Sequence, residues 1–225
     1  GDVYKRQMQI GCDPKADSTM NLREGKEKQA VLDILREKNK EATLDDVITQ
    51  GYAGVYLVEA GGPIPGLGCA GRGIIAAMEF LDEKKAYDIY QPDIVLFDVL
   101  GDVVCGGFSM PIREGYADEI LIVTSGEKMA LYAANNINTA VNNFKDRSYA
   151  QVRGLILNRR NVPSEEEKVK AFANENHLSI VCDVPRSDEI NEWEDQGKTV
   201  IEGNPSSPIS KIFFDLAKDL MEDAS

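Results

Sequence analysis

Asp93-Ile94-Val95-Leu96-Phe97-Asp98-Val99-Leu100-Gly101-Asp102 is an apolar run that ends in a carboxylate and turns on a glycine three residues later. A buried strand of this kind delivers Asp98 to the carboxyl end of a sheet. There its charge can orient magnesium and a water shell beside phosphates, the Walker B arrangement. Five further short apolar runs alternate with helix-length amphipathic segments: Met8 to Gly11, Val55 to Val58, Glu119 to Thr124, Val152 to Leu157 and Leu178 to Asp183. This alternation predicts an α/β domain with a mostly parallel sheet flanked by helices. Ser164 followed three residues later by Glu167 marks a capping-box start for a helix over 164–176, and Thr43 with Asp46 repeats a weaker version. A last helix over about 207–223 places Ile209, Ile212, Phe213, Leu216 and Leu220 along one face, ready to dock on the sheet.

A chain of 225 residues, 43% hydrophobic, can bury one medium core, so residues 8–225 read as a single domain. The formal charge of −13 and a pI near 4.6 exclude a general affinity for nucleic acid or anionic membrane, both of which would repel it. No apolar run approaches the roughly 18 residues that span a bilayer, and a cytoplasmic location is expected. Gly1 to Gln7 is polar and reads as a non-native tail. A doubly wound nucleotide-binding domain opens on an apolar strand and a glycine-rich phosphate loop. Neither precedes Met8 here, so the first βα unit is read as missing.

Directly after the first strand comes Gly11-Cys12-Asp13-Pro14-Lys15-Ala16-Asp17-Ser18-Thr19. Two carboxylates and a lysine crowd a strand end where open α/β sheets place ligands, although a solvated acidic turn has the same composition. The four cysteines form no C-x-x-C pair. Cys69 and Cys105 differ from Cys12 and Cys182 in being set among glycines, in Gly66-Leu67-Gly68-Cys69-Ala70-Gly71-Arg72-Gly73 and Val104-Cys105-Gly106-Gly107-Phe108. Small neighbours leave room for a bulky cluster and turn backbone N–H groups towards its sulfurs. Two such thiolates per chain suggest a 4Fe-4S cluster shared across a twofold axis; tight turns around buried cysteines are the alternative. His177 reads as a turn residue and Trp193 as a packing anchor. Cys182 reads as core, and Glu165-Glu166-Glu167 and residues 33–41 as solvated helix faces.

The runs GCDPKADST (11–19), GGPIPGLGCAGRG (61–73), DVLGDVVCGGFSMPIRE (98–114) and MALYAANNI (129–137) resemble the nitrogenase iron-protein family and its nitrogenase-like relatives. The resemblance extends from about Met8 to near the C-terminus. It implies a P-loop NTPase fold of the deviant Walker A type, MgATP in each subunit of a homodimer, and one 4Fe-4S cluster bridging the dimer through Cys69 and Cys105. It also implies that Asp13 helps place the attacking water, that Lys15 lies near the phosphates, and that Asp17 belongs to a magnesium-linked switch. Asp98 would sense the nucleotide. Only six residues separate Asp98 from Cys105, so a shift of that loop would be felt at the cluster. Asn158, Val184, Pro185 and Arg186 match positions that hold the adenine, and Arg72 matches a partner-facing arginine that some members have ADP-ribosylated. The implied activity is an ATP-gated reductase that takes electrons from a ferredoxin or flavodoxin and passes them to a molybdenum-iron-type or nitrogenase-like catalytic partner for nitrogen fixation. Three alternatives stand beside it: a reductase for tetrapyrroles, a cluster-free ATPase switch on the same fold, and a nonfunctional fragment.

Overall fold

The computed structural model of the protein describes residues 5–62, 71–101, 110–113, 115–144 and 150–222. The chain forms two compact units, the first holding residues 1–100 with 104–110 and 196–198, the second 101–103, 111–195 and 199–225.

The first unit contains β1 (Gln7–Gly11), α1 (Val31–Lys38), α2 (Leu44–Val47), β2 (Thr49–Gln50), β3 (Tyr56–Glu59), α3 (Gly71–Glu83), α4 (Ala86–Tyr90) and β4 (Ile94–Asp98). Its sheet runs β2-β3-β1-β4, with β1 parallel to both β3 and β4 and only β2 antiparallel. Strand β1 lies between β3 and β4; its buried Met8 and Ile10 share one face, while Gln7 and Gln9 on the other are half-buried, and Leu57 and Val58 on β3 are buried. Helix α3 carries a stripe of buried Ile74, Ala77, Met78 and Leu81, spaced at one helical face. Ile74, Met78 and Leu81 each contribute about 2 kcal/mol of burial. At α2 the modest capping signal is the one that forms: the Asp46 carboxylate accepts from both the N–H and the hydroxyl of Thr43 at 2.9 Å. Lys38 foremost, then Thr43, holds that carboxyl down to about 2. Arg6 and Gln7, part of the segment read as a tail, join the sheet, with Arg6 N–H donating to Asp93 at 2.7 Å and Gln7 in register with Ile94.

The second unit contains β5 (Glu119–Thr124), α6 (Lys128–Phe144), β6 (Gln151–Asn158), α7 (Glu165–Glu175), β7 (Ile180–Val184), α8 (Asp188–Glu194), α9 (Val200–Gly203) and α10 (Pro208–Glu222), preceded in sequence by the short helix α5 (Met110–Arg113). Its sheet, β5-β6-β7, is wholly parallel. Ile122, Leu155, Leu157, Val169 and Ala173 form one core. Helix α10 docks as its apolar face predicts, with Ile209, Ile212, Phe213 and Leu216 around Cys182 and Val184. Trp193 is a packing anchor; a Cβ on Gly203 would come within 2.0 Å of its ring.

Two expectations fail in this unit. Ser164 adopts a left-handed backbone (φ 53°) and makes no side-chain cap, so the predicted capping box at α7 does not form. Glu165, read as part of a solvated face, is instead buried and accepts from the loops before it. Among the described residues β4 pairs only with β1 and β5 only with β6, and Leu96 and Val123 on those strands are 49% and 60% exposed.

Candidate functional site

The parallel register sets Gly11, at the end of β1, opposite Glu59 on β3 and Asp98 on β4. Three strand ends therefore meet on one line, with a carboxylate on either side of a glycine. The glycine is required: a Cβ there would lie 2.1 Å from Glu59 Oε2 and 2.7 Å from Ser18 Cβ. The loop 12–19 leaves β1 and folds back over this line. Lys15 N–H donates to Asp13 Oδ1 at 2.8 Å and Ala16 N–H to the Asp13 carbonyl at 3.0 Å, closing a turn with Ala16 at φ 55°. Lys15 Nζ lies 3.7 Å from Asp13 Oδ2 and 3.4 Å from Asp17 Oδ2. The run is thus a small ion cluster in which one exposed ammonium serves two carboxylates. Asp17 first, then the charge of Asp13, holds the Lys15 ammonium above its usual range.

The far end of the loop is fastened to both carboxylates by adjacent residues. Ser18 Oγ donates to Asp98 Oδ2 at 2.5 Å, while Gln9 Nε2 steadies Ser18 through its hydroxyl at 3.0 Å and its carbonyl at 3.1 Å. Thr19 donates to Glu59 Oε1 twice, from its N–H at 2.7 Å and its hydroxyl at 2.6 Å. Arg23 completes the knot, with Nε donating to Thr19 Oγ1 at 3.1 Å, Nη2 to the Ala16 carbonyl at 3.3 Å, and Nη2 lying 3.9 Å from Glu59 Oε1. Glu59 is completely buried and its Oε2 accepts no hydrogen bond from the described residues. Burial pushes its carboxyl up, and the Thr19 bonds and Arg23 oppose the rise. Cys12, buried beneath the same carboxylates, has its thiol pushed up to about 12 by burial and then by the charges of Asp98 and Glu59.

In the second unit the register places Asn158, at the end of β6, opposite Val184 on β7, and Arg159 N–H donates to the Val184 carbonyl at 2.9 Å. Pro185 and Arg186 follow on the exposed side. Asn158 and the distant run Val184-Pro185-Arg186 thus share one strand-end edge. Arg159 forks onto Asp183 at 2.7 and 2.5 Å and reaches Glu166 at 3.1 Å. Beneath it the Glu165 carboxylate accepts N–H groups of Gly126, Arg160 and Asn161 at 3.0 to 3.1 Å. Burial would raise the Glu165 carboxyl, but the N–H groups of Arg160, Gly126 and Asn161 prevail and leave it below its ordinary value.

The structure therefore gathers Asp13, Lys15, Asp17 and Asp98 at one strand-end line of the first unit, and Asn158, Val184, Pro185 and Arg186 along one edge of the second. Cys69 and Cys105 lie outside the described residues. Burial raises the thiols of both Cys12 and Cys182 above their ordinary value. No group of three or more His, Cys, Asp or Glu suited to a metal ion occurs among the described residues. Gly71 to Glu83 is helical, with Gly71 and Gly73 buried and Arg72 exposed. The glycines that flank Cys69 and Cys105 in sequence leave room for a bulky thiolate-held group, so the residues present fit a 4Fe-4S cluster. Sequence reasoning missed Glu59, Arg23 and Glu165. A signal for Glu59 was available, because it closes an apolar strand with a carboxylate just as Asp98 does.

Comparison with known proteins joins these observations. The chain is 52% identical over 217 residues to the nitrogenase iron protein of Methanospirillum hungatei, covering 95% of this chain and 76% of that one. It is 46% identical over 233 residues to nitrogenase iron protein 2 of Methanothermococcus thermolithotrophicus, covering 98% and 80%. In fold it is similar to the septum site-determining protein MinD of Pyrococcus horikoshii, solved with Mg-ADP, with a TM-score of 0.70, 18% identity and coverage of 98% and 85%. It is also similar to MinD in the MinC:MinD complex of Aquifex aeolicus, with a TM-score of 0.71, 17% identity and coverage of 97% and 84%. At such identities the likeness shows the α/β P-loop NTPase fold alone. No described helix is long and apolar enough to cross a membrane. The description "4Fe-4S iron sulfur cluster binding proteins, NifH/frxC family" matches residues 2–225, and the chain belongs to that family.

Proposed function

We propose that this protein is the ATP-driven reductase component of nitrogenase, acting as a cytoplasmic homodimer that passes single electrons from a ferredoxin or flavodoxin to a catalytic partner. A 4Fe-4S cluster supplies the redox chemistry and MgATP the phosphoryl chemistry that drives the switch. Cys69 and Cys105 are the thiolate ligands, two from each subunit. Asp13 orients the water that attacks the terminal phosphate, and the Asp13–Lys15–Asp17 cluster supplies both a metal-facing carboxylate and an ammonium for phosphate oxygens. Asp98 reads the state of that loop through Ser18. Asn158, Val184, Pro185 and Arg186 hold the base, and Arg72 faces the partner.

The observation that carries this reading is the Ser18 Oγ to Asp98 Oδ2 bond at 2.5 Å, which ties the loop bearing Asp13 and Asp17 to the strand that runs on to Cys105. Changing what Asp13 and Asp17 hold must pull on Asp98, and seven residues later in sequence that pull reaches a thiolate. The test is iron release to a chelator from the cluster-loaded protein, with and without MgATP. Asp98→Asn is expected to leave four irons per dimer and cut the MgATP acceleration at least fivefold. Four irons per monomer, or undiminished acceleration, defeats the proposal. The tetrapyrrole alternative gains no observation from the comparisons, whose close relatives are named as nitrogenase iron proteins. The cluster-free ATPase switch shares only the fold.

A further inference from the structure

Asp98 precedes one of the two glycine-flanked cysteines in sequence, and Glu59 precedes the other. Resting on the reading above, we propose that Glu59 is a positioning residue that couples the Asp13–Thr19 loop to the chain leading to Cys69, independently of Asp98.

Ser18 and Thr19 are neighbours in sequence, yet they bind carboxylates on opposite flanks of β1: Ser18 takes Asp98 on β4 and Thr19 takes Glu59 on β3. Each carboxylate ends a strand and precedes a cysteine, Asp98 by seven residues and Glu59 by ten. A displacement of one loop is therefore divided between two strand ends.

Residues 60–62, which follow Glu59 directly, are tightly held. Ala60 N–H donates to the Gly11 carbonyl at 2.8 Å, and Leu32 N–H to the Ala60 carbonyl at 3.2 Å. Gly62 lies against Pro14, where a Cβ would come within 2.5 Å of the proline ring carbon, so the nucleotide loop touches this segment directly. On the other side Gly73, in the first turn of α3, is packed against Gly61; a Cβ on Gly73 would lie 2.1 Å from the Gly61 carbonyl. The Gly61–Gly62 step is thus wedged between the loop and the first described turn of α3. Close-packed backbone of this kind transmits movement.

Glu59 itself is built to respond. One carboxylate oxygen carries both Thr19 bonds while the other is buried without a donor among the described residues, an arrangement that a static anchor would not need. Its acceptor capacity is half used, so the Thr19 contact can be exchanged rather than only broken.

The test measures iron release to a chelator from the cluster-loaded protein with and without MgATP. MgATP affinity by calorimetry and melting temperature are taken on the same samples. Thr19→Val keeps the shape and the N–H bond but removes the hydroxyl bond to Glu59; Glu59→Gln removes the charge. Both are expected to bind MgATP within about threefold of the unaltered protein and to lose at least fivefold of its MgATP acceleration, and Thr19→Ser is expected to restore it. If Glu59→Gln fails to fold, Thr19→Val still decides. A folded Thr19→Val protein whose acceleration stays within twofold of the unaltered one overturns the inference, even if Asp98→Asn abolishes the response. No acceleration in the unaltered protein would instead defeat the underlying reading, and this inference with it.

Discussion

Glu59 and Glu165 are both buried glutamates that hold a polar loop at the carboxyl end of a parallel strand, one in each unit, and they hold it in opposite ways. Both oxygens of Glu165 are occupied by main-chain N–H groups, from Gly126 on one loop and from Arg160 and Asn161 on another. Its charge is fully solvated by the protein, and its carboxyl is lowered as a result. Glu59 uses one oxygen, for a side chain and one N–H of Thr19, and its carboxyl is raised. Main-chain donors on two loops cannot leave without unfolding both. A threonine on a single turn can. The first arrangement fixes the edge that carries Asn158 and Val184; the second leaves the 12–19 loop on an anchor with one oxygen free among the described residues.

The sharpest way to break this contrast is to delete both side chains. Glu165→Ala strands at least three buried N–H donors and is expected to cost about 3 kcal/mol in urea unfolding. Glu59→Ala strands one N–H and one hydroxyl and takes a carboxylate away from Arg23, but it also removes a buried oxygen that has no donor among the described residues, so its cost is expected to be about 1 kcal/mol. Equal losses would show that the two glutamates are the same kind of anchor.

Much of this was legible in the sequence, because apolar runs fix strands regardless of detail. The strand from Glu119 to Thr124 matches to the residue, and the others shift by one or two positions at their ends. The carboxylate and lysine of 13–17 were found for the same reason: charges that follow an apolar strand have nowhere to go but its end. What could not be read was the choice between similar local patterns. Ser164 with Glu167 looks a better cap than Thr43 with Asp46, yet the box forms at Thr43 and not at Ser164. At Ser164 the tertiary demand of two loops for an acceptor recruits Glu165 and turns the backbone left-handed. Glu59 was hidden likewise, since its partners lie forty residues earlier.

A second pair of measurements sharpens the comparison through pH. With its folded pKa lowered, Glu165 gives stability that is present above the ordinary glutamate range and lost as pH falls through the folded value. Glu59, raised, works the other way: the native state binds the extra proton, so its contribution is greatest below the ordinary range and declines as pH rises through the folded value. Glu165→Gln is therefore expected to flatten the acid-side fall in stability, and Glu59→Gln to flatten the decline at higher pH. Slopes changed in the same direction by both would refute the contrast.

The smallest expected effect lies with Cys12, which experiences Glu59 and Asp98 from beneath. Its thiol ionises near 9 in an unfolded chain and at about 12 in the folded one, first because it is buried and then because those two charges oppose a thiolate. Between these values the native state keeps a proton that the unfolded state has lost. Stability therefore falls as pH rises through that window, by up to about 1.4 kcal/mol per pH unit. Cys12→Ala is expected to remove that component, so slopes and not absolute stabilities are compared. Asp98→Asn and Glu59→Gln are each expected to bring the folded thiol value down by a smaller amount, visible as faster alkylation of Cys12 above pH 9 in the folded protein. Cys182 supplies the control: its thiol is also raised by burial, but the carboxylate that adds to the effect is its neighbour Asp183. Asp98→Asn and Glu59→Gln are expected to leave its alkylation unchanged. If they accelerate Cys182 as much as Cys12, general loosening and not the local field is the cause, and the carboxylate pair around Gly11 does not act on the thiol below it.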